Sequence, residues 1–282
     1  MYFIDLRATG SGGIAAEEAS VHWEDGSIRT PGDFARDVQA KDIVLATHGF
    51  NVNREHGRNS LTCWSERCNL PSGYMLVGML WPGDSAFFPI LDYPVEGLEA
   101  IKSGKVLAKF LNQYATGVQS LSLVSHSLGA RMVLQALDGL DQGARRLILM
   151  AGAIEDDCLV NEYAGAAGKA QQIYVIASKE DWVLKFAFPI GNPVGQIIMH
   201  GHPYFRTAIG RAGPASFDAR TRLWQIPDGW DYGHLDYLPS DRTGPQLPPP
   251  LARPGDSDPA PTPSTQGWKP SWSAGAVSTQ VV

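Results

Sequence analysis

Short apolar runs recur along the first 240 positions, separated by stretches with helical spacing of apolar side chains. The runs at 43–47, 74–80, 121–125, 146–151, 173–177 and 222–226 predict strands. Several are apolar throughout, as strands buried on both faces of a parallel sheet must be. Between them, 95–114 and 128–140 carry helical periodicity, the first directly after Pro94. Strand alternating with helix implies crossover units, with helices covering both faces of the sheet. The first 29 residues read differently. Segments 2–7 and 21–29 alternate polar with apolar, and Glu24-Asp25-Gly26 supplies a turn, so an antiparallel hairpin or meander is expected there. The predicted class is α/β, a mostly parallel central sheet flanked by helices, with antiparallel N-terminal strands.

Composition narrows the picture. The chain has 282 residues, 44% hydrophobic and 18% charged, with a formal net charge of −6. That balance lacks the basic footprint of a nucleic-acid binder. No apolar run reaches the roughly 18 residues of a membrane span, so no transmembrane segment is expected. Nor does the start, Met1-Tyr2-Phe3-Ile4-Asp5, resemble an export signal, which makes the cytoplasm the expected location. The three cysteines have no metal-type spacing, and Cys63 and Cys68 are expected as free thiols rather than a small bridged loop. A catalytic domain is expected over 1–242. Residues 243–282 are rich in proline and are predicted to be a disordered tail that a protein partner could bind, with Trp268 and Trp272 inside it.

The candidate chemistry begins at Ser125-His126-Ser127-Leu128-Gly129. There a strand-like run enters a tight turn around one serine and a helical pattern leaves it, the layout of a nucleophile elbow. Such a turn needs small neighbours; Gly129 satisfies this, and Ser125 stands where the usual pattern has its first glycine. A serine hydroxyl also needs a base, and the base an orienting acid. Asp181, just past the strand at 173–177, is the preferred acid; Asp156 and Asp157, after the preceding strand, compete with it, and the adjacent Glu180 is expected as a solvated charge. Of seven histidines, His234 follows the last predicted strand and is the preferred base. His126 adjoins the nucleophile and would point away, and His200 and His202 come early. The resulting chain order, Ser127, Asp181, His234, is that of α/β-hydrolases. Upstream, His48-Gly49-Phe50-Asn51 follows the buried strand at 43–47, where an oxyanion loop belongs. Backbone amides of Phe50 and Leu128 are the expected oxyanion donors, with His48 bracing the loop.

These motifs carry a resemblance. The chain resembles the α/β-hydrolase superfamily, and within it a largely uncharacterised bacterial family with a His-Gly-Phe-Asn loop, a Trp-Pro segment after the next strand and a Ser-His-Ser-Leu-Gly elbow. Here these are His48 to Asn51, Trp81-Pro82-Gly83-Asp84 and Ser125 to Gly129, and the match spans roughly residues 40 to 240. It implies a fold but no substrate. Asn51, His126, Trp182 and Phe186 are candidate pocket residues. Segment 183–217 is long for a connection and apolar, and reads either as a lid lining an acyl pocket or as packing over the core. The expected activity is hydrolysis of a small carboxylic ester, with no metal or cofactor. Thioesters, amides, acyl transfer, or a non-catalytic binding module are the alternatives.

Overall fold

The computed structural model describes residues 1–8, 13–68, 70, 72–84, 93–186, 188 and 206–238. The proline-rich stretch, His200, His202 and most of the long apolar segment lie outside these residues.

The apolar runs form one nine-stranded sheet: β1 (Tyr2–Arg7), β2 (Ala15–Trp23), β3 (Ile28–Arg29), β4 (Asp42–Thr47), β5 (Tyr74–Leu80), β6 (Ser120–His126), β7 (Ala144–Met150), β8 (Ala170–Ala177) and β9 (Thr221–Gln225), in the spatial order β3-β2-β1-β5-β4-β6-β7-β8-β9. β1 pairs antiparallel with β2, and β2 with β3, around a turn in which Gly26 takes a φ of +89°. β1 then runs parallel to β5, and parallel pairing continues through β9. Every position of β4 and β7 is buried, and 43–46 and 147–150 within them read as unbroken apolar runs.

The connecting helices are α1 (Pro31–Val38), α2 (Arg54–Arg67), α3 (Tyr93–Tyr114), α4 (Gly129–Gly139), α5 (Ala164–Lys169), α6 (Trp182–Phe186) and α7 (Ile209–Ala212), and a 3₁₀ turn spans His234–Tyr237. α3 and α4 fall within two residues of the predicted helices, whereas α1 and α2 were not among them. α1 is started by a capping box: Thr30 Oγ1 accepts from Asp33 N–H at 3.0 Å, and Asp33 Oδ2 accepts from Thr30 N–H at 3.3 Å. Cys63, Cys68 and Cys158 are free thiols. Among the described residues no helix is long and apolar enough to cross a membrane.

The strand order places the site. β4 lies between β5 and β6, so the chain leaves β4 toward one side and returns, after β5, on the other. That reversal opens a crevice at the carboxyl ends of β4 and β6, the position where open α/β sheets bind ligands. The loops following these two strands carry Phe50 and Ser127.

Candidate active site

Ser127 sits in the turn between β6 and α4 with a φ of +54°, a left-handed conformation that side chains other than glycine adopt rarely. Three backbone bonds hold it there. Its N–H donates to Met150 O at 3.0 Å, and its carbonyl accepts from Ala130 N and Ala153 N, each at 3.1 Å. The turn also demands glycines around it. A Cβ on Gly49 would lie 2.6 Å from Ser127 Cβ, and one on Gly129 would lie 2.5 Å from the His48 carbonyl oxygen. Ser125, at the position of the usual first glycine, is fully buried, with its hydroxyl toward Ile148 O at 3.4 Å. Serine is tolerated because its oxygen finds an acceptor on the neighbouring strand.

The structure brings Ser127, His234 and Asp181 together. His234 Nε2 lies 2.8 Å from Ser127 Oγ, and His234 Nδ1 lies 2.7 Å from Asp181 Oδ2. Asp181 is wholly buried at the start of α6, where its other oxygen accepts from Leu184 N–H at 2.9 Å. Nδ1 therefore carries the proton toward the carboxylate, leaving Nε2 free to accept from the serine hydroxyl. Asp156 and Asp157 are turned elsewhere: both pair with Arg206, at 2.8 and 3.5 Å.

His234 is held from two sides. His126 donates from Nε2 to the His234 carbonyl at 2.8 Å, with the two rings 4.9 Å apart. Burial, reinforced by the neighbouring His234, pushes the His126 pKa down to about 3, so this ring is neutral at ordinary pH. From the other side, Glu180 corrects the expectation of a solvated charge. Its two carboxylate oxygens accept from Gly229 N–H at 2.8 Å and Asp231 N–H at 2.9 Å, in the loop leading to His234. Ser178 adds a third tie, donating to Tyr232 O at 2.8 Å. One short stretch after β8 thus supplies both the Asp181 carboxylate and the clamp on the loop leading to His234.

Opposite the serine, the loop after β4 is braced from below. Trp81 Nε1 donates to His48 O at 2.9 Å, and the His48 ring stacks on the Trp81 indole. His48 Nδ1 donates to Gly49 O at 2.9 Å, and burial holds the His48 pKa down near 3, so it braces the loop as a neutral ring. The Leu128 N–H at the start of α4 has no acceptor among the described residues.

A family model described as an alpha/beta hydrolase of unknown function (DUF900) matches residues 30–240. The chain belongs to this family. The solved structures similar to this DUF900 hydrolase include esterase PE8, at 18% identity and TM-score 0.40 over 70% of this chain and 86% of that one. A CIB-like hydrolase from Thermoplasma acidophilum matches at 16% identity and TM-score 0.40, over 75% and 82% of the two chains. Esterase B from Lactobacillus rhamnosis matches at 13% identity and TM-score 0.36, over 78% and 74%. No curated protein matches the sequence significantly.

The pocket candidates of the DUF900 hydrolase divide. Asn51 is exposed with a φ of +56°, and Trp182 and Phe186 stack on each other at 5.2 Å on the outer side of α6, 64% and 52% exposed. His126 is buried against His234, a brace that no side-chain pattern announces because its partner is a backbone carbonyl 108 residues away. Among the described residues, no group of three or more His, Cys, Asp or Glu side chains is disposed to hold a metal.

Proposed function

We propose that the protein hydrolyses carboxylic esters through an acyl-enzyme on Ser127. The observation that carries this reading is the pair of hydrogen bonds made by the His234 ring, 2.8 Å from Nε2 to the Ser127 hydroxyl and 2.7 Å from Nδ1 to the Asp181 carboxylate. A histidine so placed is a base toward the serine and, once protonated, is stabilised by the aspartate behind it.

The steps follow. His234 Nε2 takes the hydroxyl proton as Ser127 Oγ bonds to the ester carbonyl carbon. The carbonyl π electrons move onto oxygen, and the amides of Phe50 and Leu128 hold that oxyanion. As the tetrahedral species collapses, the C–O bond to the alcohol breaks and His234 returns its proton to the departing oxygen. Water then attacks the acyl-enzyme, giving its proton to His234. The second collapse releases the acid and restores the serine.

Two features support the amide roles. Both come from loops at the crevice where the sheet reverses direction, and the Leu128 N–H has no acceptor among the described residues. Ser127→Ala tests the reading. Wild-type protein should label stoichiometrically with a fluorophosphonate and hydrolyse nitrophenyl esters, while the variant, folded by circular dichroism, should do neither. Stoichiometric labelling of the variant would refute the assignment.

A further inference from the structure

The segment ahead of residue 30 lies outside the family match, yet it reaches the site. We infer that Arg7 and Asp5, in β1, are positioning residues that hold the oxyanion loop in register with Ser127. The inference rests on the proposed role of the Phe50 amide.

That amide is useful only if the loop is held within about 0.5 Å of its productive position. The near end of the loop is fixed by Trp81 and by Gly49 packing on Ser127. The far end is not anchored in the same way. Asn51 and Asn53 are exposed, and the bridge from Val52 N–H to Gly83 O is long, at 3.3 Å. β1 supplies what is missing. Asp5 is level with Leu80 in the parallel pairing, so Arg7 emerges beside the Trp81–Asp84 turn, at the sheet end that carries the site.

The Arg7 guanidinium is 9% exposed and uses both terminal nitrogens. Nη2 donates to Val52 O at 2.7 Å, and Nη1 pairs with Asp84 at 2.5 Å. One planar fork therefore joins β1, the loop after β4 and the turn after β5, which a lysine, with a single nitrogen, cannot reproduce. Two residues earlier, the buried Asp5 pairs with Arg54 Nη2 at 2.5 Å, and Arg54 is the first residue after the loop. Asp5 Oδ1 also accepts from Arg7 N–H at 3.0 Å, which couples the two anchors. The elbow is thus completed by a strand that lies ahead of the family match, and Asp84 of the Trp-Pro segment gains a role.

The test compares Arg7→Met, Arg7→Lys and Arg54→Gln in the full chain. Readouts are kcat and KM on a nitrophenyl ester, affinity for a trifluoromethyl ketone that forms an oxyanion on Ser127, and thermal midpoint. Arg7→Met should lower kcat about 10–100-fold with KM within about twofold, and weaken the ketone by the same factor. Arg7→Lys should recover part of the loss. Arg54→Gln, at a half-exposed side chain, severs the second anchor together with the Arg54 contact to His22, leaves the Arg7 fork in place, and should give a smaller loss of the same kind even if Arg7→Met fails to fold. Arg7 and Arg54 variants that melt earlier yet keep wild-type kcat and ketone affinity would overturn the inference alone. A wild-type protein inert toward both ester and ketone would overturn the ester reading and this inference with it.

Discussion

Gly49→Ala isolates the dependence of turnover on the approach between the two site loops. The added methyl would lie 2.6 Å from Ser127 Cβ, 3.1 Å from His126 Nδ1 and 3.2 Å from the His126 carbonyl oxygen. Ordinary contact begins near 3.4 Å, so the loops must part by about 0.8 Å. Ser127 is fixed by its bonds to Met150, Ala130 and Ala153, and the movement therefore falls on the loop carrying Phe50. Overpacking of this kind costs about 1–3 kcal/mol of stability. Misplacing a catalytic group by about 1 Å costs about 10²-fold in rate. The variant should therefore lose about two orders of magnitude in kcat on a nitrophenyl ester, with a cooperative urea transition moved only modestly. Stopped assays at 25 °C on purified protein, alongside urea melts, separate the two effects. A well-folded Gly49→Ala protein with wild-type kcat would refute the argument that this contact sets the oxyanion geometry.

Further outcomes follow from the braces around the base. His48 and His126 titrate near 3 when folded and near 6.5 when unfolded, so between these values the unfolded chain binds the extra protons and stability falls as pH falls. Each should contribute a loss of about 2 kcal/mol between pH 6.5 and pH 5, and urea melts of His126→Gln should show the smaller slope. Glu180→Gln leaves one acceptor oxygen facing the two amides of Gly229 and Asp231, so His234 is held less well. Because the histidine must protonate the departing alcohol, hydrolysis of alkyl esters should fall several-fold more than hydrolysis of nitrophenyl esters, and equal losses would count against a positioning role.

Where the sequence was legible, burial explains why. The strands β4 and β7 are enclosed on both faces, and 43–46 and 147–150 are filled only by apolar residues, while Asp42, Arg145 and Arg146 stand at the strand starts. That Ser127, Asp181 and His234 each follow a strand was readable for the same reason, since β6, β8 and β9 declare themselves. The first two helices were not. In α2 the buried stripe at 57, 60, 61 and 64 is filled at two of its four places by Gly57 and Ser60, so no apolar period shows; α1 is only eight residues long, although Thr30 and Asp33 did carry its capping signal. Glu180 escaped because its partners are main-chain amides 49 and 51 residues onward, which no side-chain pattern announces. The choice between Asp181 and the pair Asp156 and Asp157 needed three-dimensional information as well, because Arg206 claims the pair.

The reversal of the sheet between β5 and β6 also sets a schedule for synthesis. Ser127 and its imidazole are 107 residues apart, and the histidine comes after the last strand. At about 5–20 residues per second, a ribosome makes the serine some ~5–20 s before its base. During that interval the proposed nucleophile is an ordinary alcohol, with no imidazole to take its proton. On the proposed reading, the serine gains its base only once His234 has been added and the fold has closed around it.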